Sequence, residues 1–104
     1  MFTRQEFKKL DGKYFDVLLR SAYYINLKSR NTGHTWSIYS KQLTVDRREL
    51  EISHKHKDND EYHVQLRFHP RNIDEAQRMI KDHDRWHLNG RKPRNNTHVG
   101  YLNK

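Results

Sequence analysis

The sequence contains no cysteine. That excludes disulfides, thiolate catalysis and cysteine-ligated zinc, and in so small a domain it points to a reducing compartment rather than a stapled, secreted scaffold. Proline and glycine are scarce as well, at two and four residues among 104. So few glycines leave little scope for a phosphate-cradling loop. The chain shows no P-loop, no Gly-rich dinucleotide turn and no serine elbow. Apolar residues make up only 33%, and no apolar run approaches the length of a membrane span. The opening Met1-Phe2-Thr3-Arg4-Gln5-Glu6 lacks the apolar stretch of a secretory signal, so the expected location is the cytoplasm.

What is abundant is positive charge and aromatic area. The formal net charge is +8, and aromatic residues reach 12%. Large rings bury more area each than aliphatic side chains, so a thin core is still feasible at this length, alone or in a dimer. Residues 89–104 carry Arg91, Lys92, Arg94 and Lys104 with no acid, which is half of the +8. The expected organisation is one domain over residues 1–90 and a basic flexible tail over 91–104. Such a surface attracts phosphate polyanions through counterion release, although the same charge also serves solubility.

Local signals divide the domain into elements. Thr3 and Glu6 form a capping-box pair, with Phe2 and Phe7 at the positions of a hydrophobic staple. They predict a short N-terminal helix with Phe7 and Leu10 on its apolar side and a left-handed Gly12 at its end. Residues 13–21 read both ways: Phe15, Val17 and Leu19 alternate as in a strand, whereas Phe15, Leu18, Leu19 and Ala22 fit a helical face. The strand is preferred. Tyr23, Ile25 and Leu27 then alternate with Tyr24, Asn26, Lys28 and Arg30. After Asn31-Thr32-Gly33, Trp36 and Ile38 alternate with Thr35, Ser37 and Tyr39. A two-residue Thr32-Gly33 turn would pair Leu27 with Ile38. A second hairpin is expected from Leu50 and Ile52 to Tyr62, Val64, Leu66 and Phe68, turning at Asp58-Asn59-Asp60. Asn72 and Glu75 open a C-terminal helix whose stripe is Ala76, Met79, Ile80, His83 and Trp86 or His87, with Gly90 as its stop. The fold class expected is α+β: a small, mostly antiparallel sheet of hairpins with both helices packed on one face.

Eight histidines in the chain call for a chemical reading. His54 and His56 share one side of a strand, and His63 across the turn could complete a zinc-type triad. Aligning the even-numbered apolar sets pairs His54 with Val64 and His56 with Tyr62, which puts His63 on the opposite face. Only a one-residue slip, at the cost of exposing an apolar set, would gather the three. His83 and His87 share a helix face, but Asp84 replaces the glutamate of the zinc-protease pattern and no third ligand is specified. No metal site and no cofactor are therefore expected. A metal-independent RNase could use His54, His56 or His63 for proton transfer beside Lys and Arg.

The expected functional surface is the outer sheet face. Tyr24 and Tyr39 would stack on bases, and Lys28, Arg30, Lys41, Lys55 and Arg67 would meet phosphates, joined by Arg91, Lys92 and Arg94 of the tail. This predicts a nucleic-acid-associated binding protein for RNA or single-stranded DNA. The alternative is a small inhibitor or regulator, of the kind mobile elements encode, docking on a larger protein machine; tyrosine and arginine also enrich protein interfaces.

Overall fold

The computed structural model describes residues 1–90, so the tail residues Arg91, Lys92 and Arg94 lie outside the described part. In chain order the elements are α1 (Arg4–Lys8), β1 (Phe15–Arg20), β2 (Tyr24–Ser29), β3 (Thr35–Thr44), β4 (Arg47–Lys55), β5 (His63–Val64) and α2 (Ile73–Leu88). The strands form one antiparallel sheet in the order β1-β2-β3-β4-β5. This is the α+β class expected, although α1 is only one turn and a half. No helix among the described residues is long and apolar enough to cross a membrane.

The helix starts follow their signals. Thr3 accepts from the Glu6 amide, and the Glu6 carboxylate accepts from the Thr3 amide at 3.0 Å. Phe2 and Phe7 close the staple with ring centroids 6.4 Å apart. At α2, Asn72 Oδ1 accepts from the Glu75 amide at 2.8 Å, while the Glu75 carboxylate reaches past the cap to the Arg71 amide. Gly90 takes a positive φ of 74°, as a C-terminal stop requires. Gly12 does not: α1 ends earlier, at a right-handed Lys9 whose amide bonds to the Glu6 carbonyl at 3.1 Å. The Asp11 carboxylate then shapes the next turn by accepting from the Lys13 and Tyr14 amides.

The strand registers depart from expectation in instructive ways. Residues 15–20 are a strand, but a bulge between Val17 and Leu19 breaks the alternation. Val17 faces the core beside Leu27, whereas Leu18 and Leu19 are both exposed. Tyr23 precedes β2 and is exposed rather than inward. In the next hairpin Leu27 pairs with Trp36, and Ile25 with Ile38. The Ser29 amide donates the closing bond to the His34 carbonyl around a four-residue loop, with Gly33 left-handed at φ 77°. The loop is two residues longer than a tight turn, so the slip is even and the apolar set stays on one face. β3 then runs on to Thr44 and turns at Val45-Asp46 into β4, a hairpin with no glycine or proline to announce it.

The largest correction is at β5. In place of a strand from Tyr62 to Phe68, only His63 and Val64 pair, in the register Ser53↔Val64 and His54↔His63. The expected alignment has slipped by one residue. Val64 and Leu66 are consequently exposed, as is Tyr62, and Arg67 sits in a turn instead of a strand. Phe68 still enters the core.

Both helices lie on the inner face. The core joins Phe15, Ile25, Leu27, Trp36, Ile38 and Ile52 of the sheet to Ile73, Ala76 and Ile80 of α2, with Phe2, Leu50 and Phe68 at its margins. Polar clamps tie its edges. Gln77 of α2 donates to the Lys9 carbonyl and accepts from the Asp11 amide, both within 2.8 Å. Arg48 grips Glu6 through both nitrogens, holding α1 to β4. Replacing fully buried Trp36 with alanine should cost about 3–5 kcal/mol, whereas Thr3→Ala should cost about 1 kcal/mol through the lost cap. Urea unfolding of the two variants checks that order.

Candidate functional site

Antiparallel pairing of β3 and β4 sets the site. Trp36 opposes His54 and Thr35 opposes Lys55, so the even-numbered side chains share the inner face. Continued one step, this register brings His34, just before β3, across from His56, just after β4. The two rings stack with centroids 4.3 Å apart and planes within 7°. His54 lies on the neighbouring rung, its Nε2 3.0 Å from His34 Nδ1. One ring nitrogen from each of His34, His54 and His56 lies within 4.8 Å of the other two. His34 and His54 are buried, and His56 opens to solvent.

The C-terminal half of α2 roofs this end of the sheet. Its stripe continues from Ile80 to His83 and His87, one helical turn apart. His83 meets His54 edge-on at 4.9 Å, and His87 meets His34 edge-on at 4.5 Å. Trp36 stacks on His54 at 3.9 Å, and Trp86 and Phe68 pack against His83. His34, His54 and His83 thus extend the aromatic core, with His87 half-buried and His56 exposed at its rim. His54 is paired in the ladder with His63, yet His63 is exposed and does not belong to the converging set. Sequence reasoning missed His34. It follows the Gly33 turn directly and has the parity of Trp36, and therefore the inner face.

Burial is the main reason why the His54 imidazolium is disfavoured, with repulsion from His83, His34, His56 and His87 adding to it; together they push its pKa down to about 2. His54 is neutral at physiological pH. Beside the rings sits Asp84, wholly buried. Burial raises its pKa, opposed by hydroxyl donors that favour the carboxylate. Tyr14 donates to it at 2.7 Å and Thr32 at 3.3 Å. Thr32 in turn accepts from the His34 amide at 3.1 Å, so Asp84 anchors the loop that carries His34.

The outer face differs in part from the surface expected. Tyr24 and Tyr39 are cross-strand partners and stack on each other, centroids 4.9 Å apart and planes within 16°. Lys41 is exposed on the same face, opposite Glu49, and Tyr39 is opposite Glu51. Lys28 and Lys55 converge at the other end of the face on Asp58: Lys28 at 3.7 Å from its carboxylate, Lys55 at 3.1 Å from its carbonyl. Lys55 also lies over the Tyr62 ring. Arg30 has left the face for the loop, where it pairs with Asp16 at 2.8 Å. Ser37 and Thr35 occupy the centre, sheltered by these longer neighbours. A separate surface groove, between β4 and residues 64–71, is lined by Leu50, Val64, Leu66, Phe68 and Pro70 among others and contains none of the clustered histidines.

Comparison of the chain with protein-family models, with curated proteins and with solved structures gives no match. Function is therefore read from the geometry.

The buried neutral imidazole has a consequence for stability. Below the ordinary value of 6.5 the unfolded chain protonates His54 and the folded chain does not. Stability contributed by this group is present above that value and is lost as pH falls. In chelator-treated buffer, His54→Phe should remove this loss while keeping the ring stack on Trp36. The stability gap between parent and variant should shift in favour of the variant by about 1–2 kcal/mol between neutral pH and pH about 5. Denaturant titrations at the two pH values give the measurement.

Proposed function

We propose that the protein is a small nucleic-acid-associated binding domain that takes single-stranded RNA or DNA on its outer sheet face. The observation carrying this reading is one-sided packing: both helices occupy the inner face, and the stacked Tyr24–Tyr39 pair is left on the other, with Tyr24 45% exposed. A stacked pair already held parallel presents a flat aromatic surface on which a base can continue the stack. Glu49 and Glu51 disfavour phosphate beside the tyrosines, so the strand's phosphates are directed toward Lys28 and Lys55. Their shared partner Asp58 is 82% exposed in its side chain, and exposed pairs contribute only about 0–1 kcal/mol, so phosphate can replace it. The residues 1–90 hold 17 of the 21 Lys and Arg against all 13 acids, which makes this attraction modest and salt-sensitive.

A second reading is a regulator that docks on another protein. It is favoured by the exposed apolar edge left by the short β5, where Leu66 is 79% exposed and Val64 44%. That edge is distinct from the tyrosine pair, so the two readings separate by mutation.

In mobility-shift titrations with labelled single-stranded RNA and DNA, Tyr24→Ala should weaken binding by about 1–3 kcal/mol with little change in salt slope. Lys28→Gln with Lys55→Gln should lower the slope by about 1–2. Absence of a shift even at low salt rejects the nucleic-acid reading. A stoichiometric, nuclease-insensitive protein partner lost in Leu66→Lys favours the second.

A further inference from the structure

We propose that His34, His54 and His56 form a zinc-binding site, with His87 of α2 as the fourth ligand. The site does not depend on the nucleic-acid reading and lies on the opposite face of the sheet.

The three strand-borne positions supply the correct atoms at close to the correct spacing. Zinc–imidazole bonds of about 2.0–2.1 Å in a tetrahedron place ligand nitrogens about 3.4 Å apart. Here the nitrogens of His34, His54 and His56 fall within 4.8 Å of one another, and the closest pair is at 3.0 Å. Binding requires His34 and His56 to turn out of their parallel stack so that both in-plane lone pairs meet at the ion, a movement left to side-chain torsions because His56 is exposed. The close pair is itself informative. His54 Nε2 and His34 Nδ1 face each other at 3.0 Å, so either one of them carries a hydrogen or both lone pairs meet a cation. A proton on one ring satisfies them as an N–H···N bond, and a metal ion satisfies them by binding both.

The surroundings are those of a bound ion. The β3–β4 ladder fixes His54 and ends at the Thr35–Lys55 rung, next to which His34 and His56 stand on the adjoining residues of the two strands. Trp36 walls the inner side. His56, exposed, gives the ion a route in. His87 lies against both His34 and His56, with ring centroids 4.5 and 5.8 Å away, on the side opposite the sheet. Asp84, three residues before His87, holds Thr32 of the loop that carries His34 and so ties that ligand's position to α2.

The donor set selects the ion. An all-imidazole site suits zinc and its borderline neighbours, whereas magnesium and calcium take oxygen ligands. With four imidazoles the coordination sphere closes and no position is left for substrate. The role is therefore structural. The ion pins the C-terminal turn of α2 to the open end of β3 and β4, where the core has changed from aliphatic residues to histidine.

The test uses the full chain, stripped with chelator, titrated with zinc chloride against a competing chromophoric chelator and followed in parallel by thermal unfolding. One zinc per chain is expected, with the midpoint raised by at least about 5 °C by zinc and unmoved by magnesium. Because His56 is exposed, His56→Ala should keep the metal-free midpoint and lose zinc affinity by about 100-fold or more. His69→Ala, an exposed histidine outside the cluster, should bind as the parent does. Cobalt in place of zinc should give the intense visible bands of a tetrahedral centre, weakened in His87→Ala. No stoichiometric zinc, or equal affinity in parent and His56→Ala, overturns the site. An unchanged cobalt spectrum and affinity in His87→Ala overturns the fourth ligand.

Discussion

The pairing of Trp36 with His54 decides most of what this domain is. It fixes the parity of both central strands, and with it the side chains that α2 covers. Ile38 and Ile52 fall under the middle of the helix, while His34, His54 and His56 fall under its last two turns. A one-residue slip of β4 at that rung would turn Ile52, His54 and His56 outward and bring Ser53 and Lys55 in. No other contact in the sheet controls so many others. The Gly33 loop, the Asp84 anchor and the placement of His83 and His87 are all built around the end of this ladder.

The rung also explains how a chain with few apolar residues holds together. The aliphatic part of the core is small, made of Ile25, Leu27, Ile38, Leu50 and Ile52 against Ile73, Ala76 and Ile80. Beyond it, packing continues through Trp36, the clustered imidazoles, Phe68 and Trp86. Rings of this size fill volume and stack favourably, so burial is maintained where aliphatic residues run out. They differ from aliphatic residues in what they leave at their edges. Each imidazole brings two nitrogens that must find partners, and the Asp84 network shows the same principle applied to a carboxylate, with Tyr14 and Thr32 donating to it.

Much of the fold was legible because local and global signals agree. Thr3 with Glu6, Asn72 with Glu75, Gly90, and the alternation around Ile25 and Trp36 each predict the element found. The misses share a physical cause. β5 was read from the alternation of Tyr62, Val64, Leu66 and Phe68, which describes a strand buried on one face. The tertiary arrangement instead pairs His63 with His54 and places only Phe68 in the core, so pattern yielded to the requirements of the neighbouring strand. The bulge at Val17 and Leu19 inverted a second alternation in the same way. At the site, His54 and His56 were visible as a pair and His83 and His87 as another, but their common neighbour His34 was not. Its role follows from the parity of Trp36 and from the β3–β4 register, which brings it across from His56, and that register is what alternation within single strands leaves undetermined.

The histidine cluster and the outer face place opposite demands on the same sheet. Side chains on the outer face meet water, so their charges are screened and their pairs exchangeable, as for Lys28, Lys55 and Asp58. Side chains on the inner face have no such freedom. An imidazole buried there must remain neutral, find a hydrogen-bond partner, or bind a cation, because an unsatisfied polar nitrogen in a dry interior costs on the order of 1–3 kcal/mol. His34 and His54 are buried and meet each other through Nδ1 and Nε2, whereas His56 opens to solvent. The divalent ion proposed for the site would give one nitrogen of each a common partner. That asymmetry is why the inner cluster, rather than the more strongly charged surface, is where the chemistry of this sequence is most constrained.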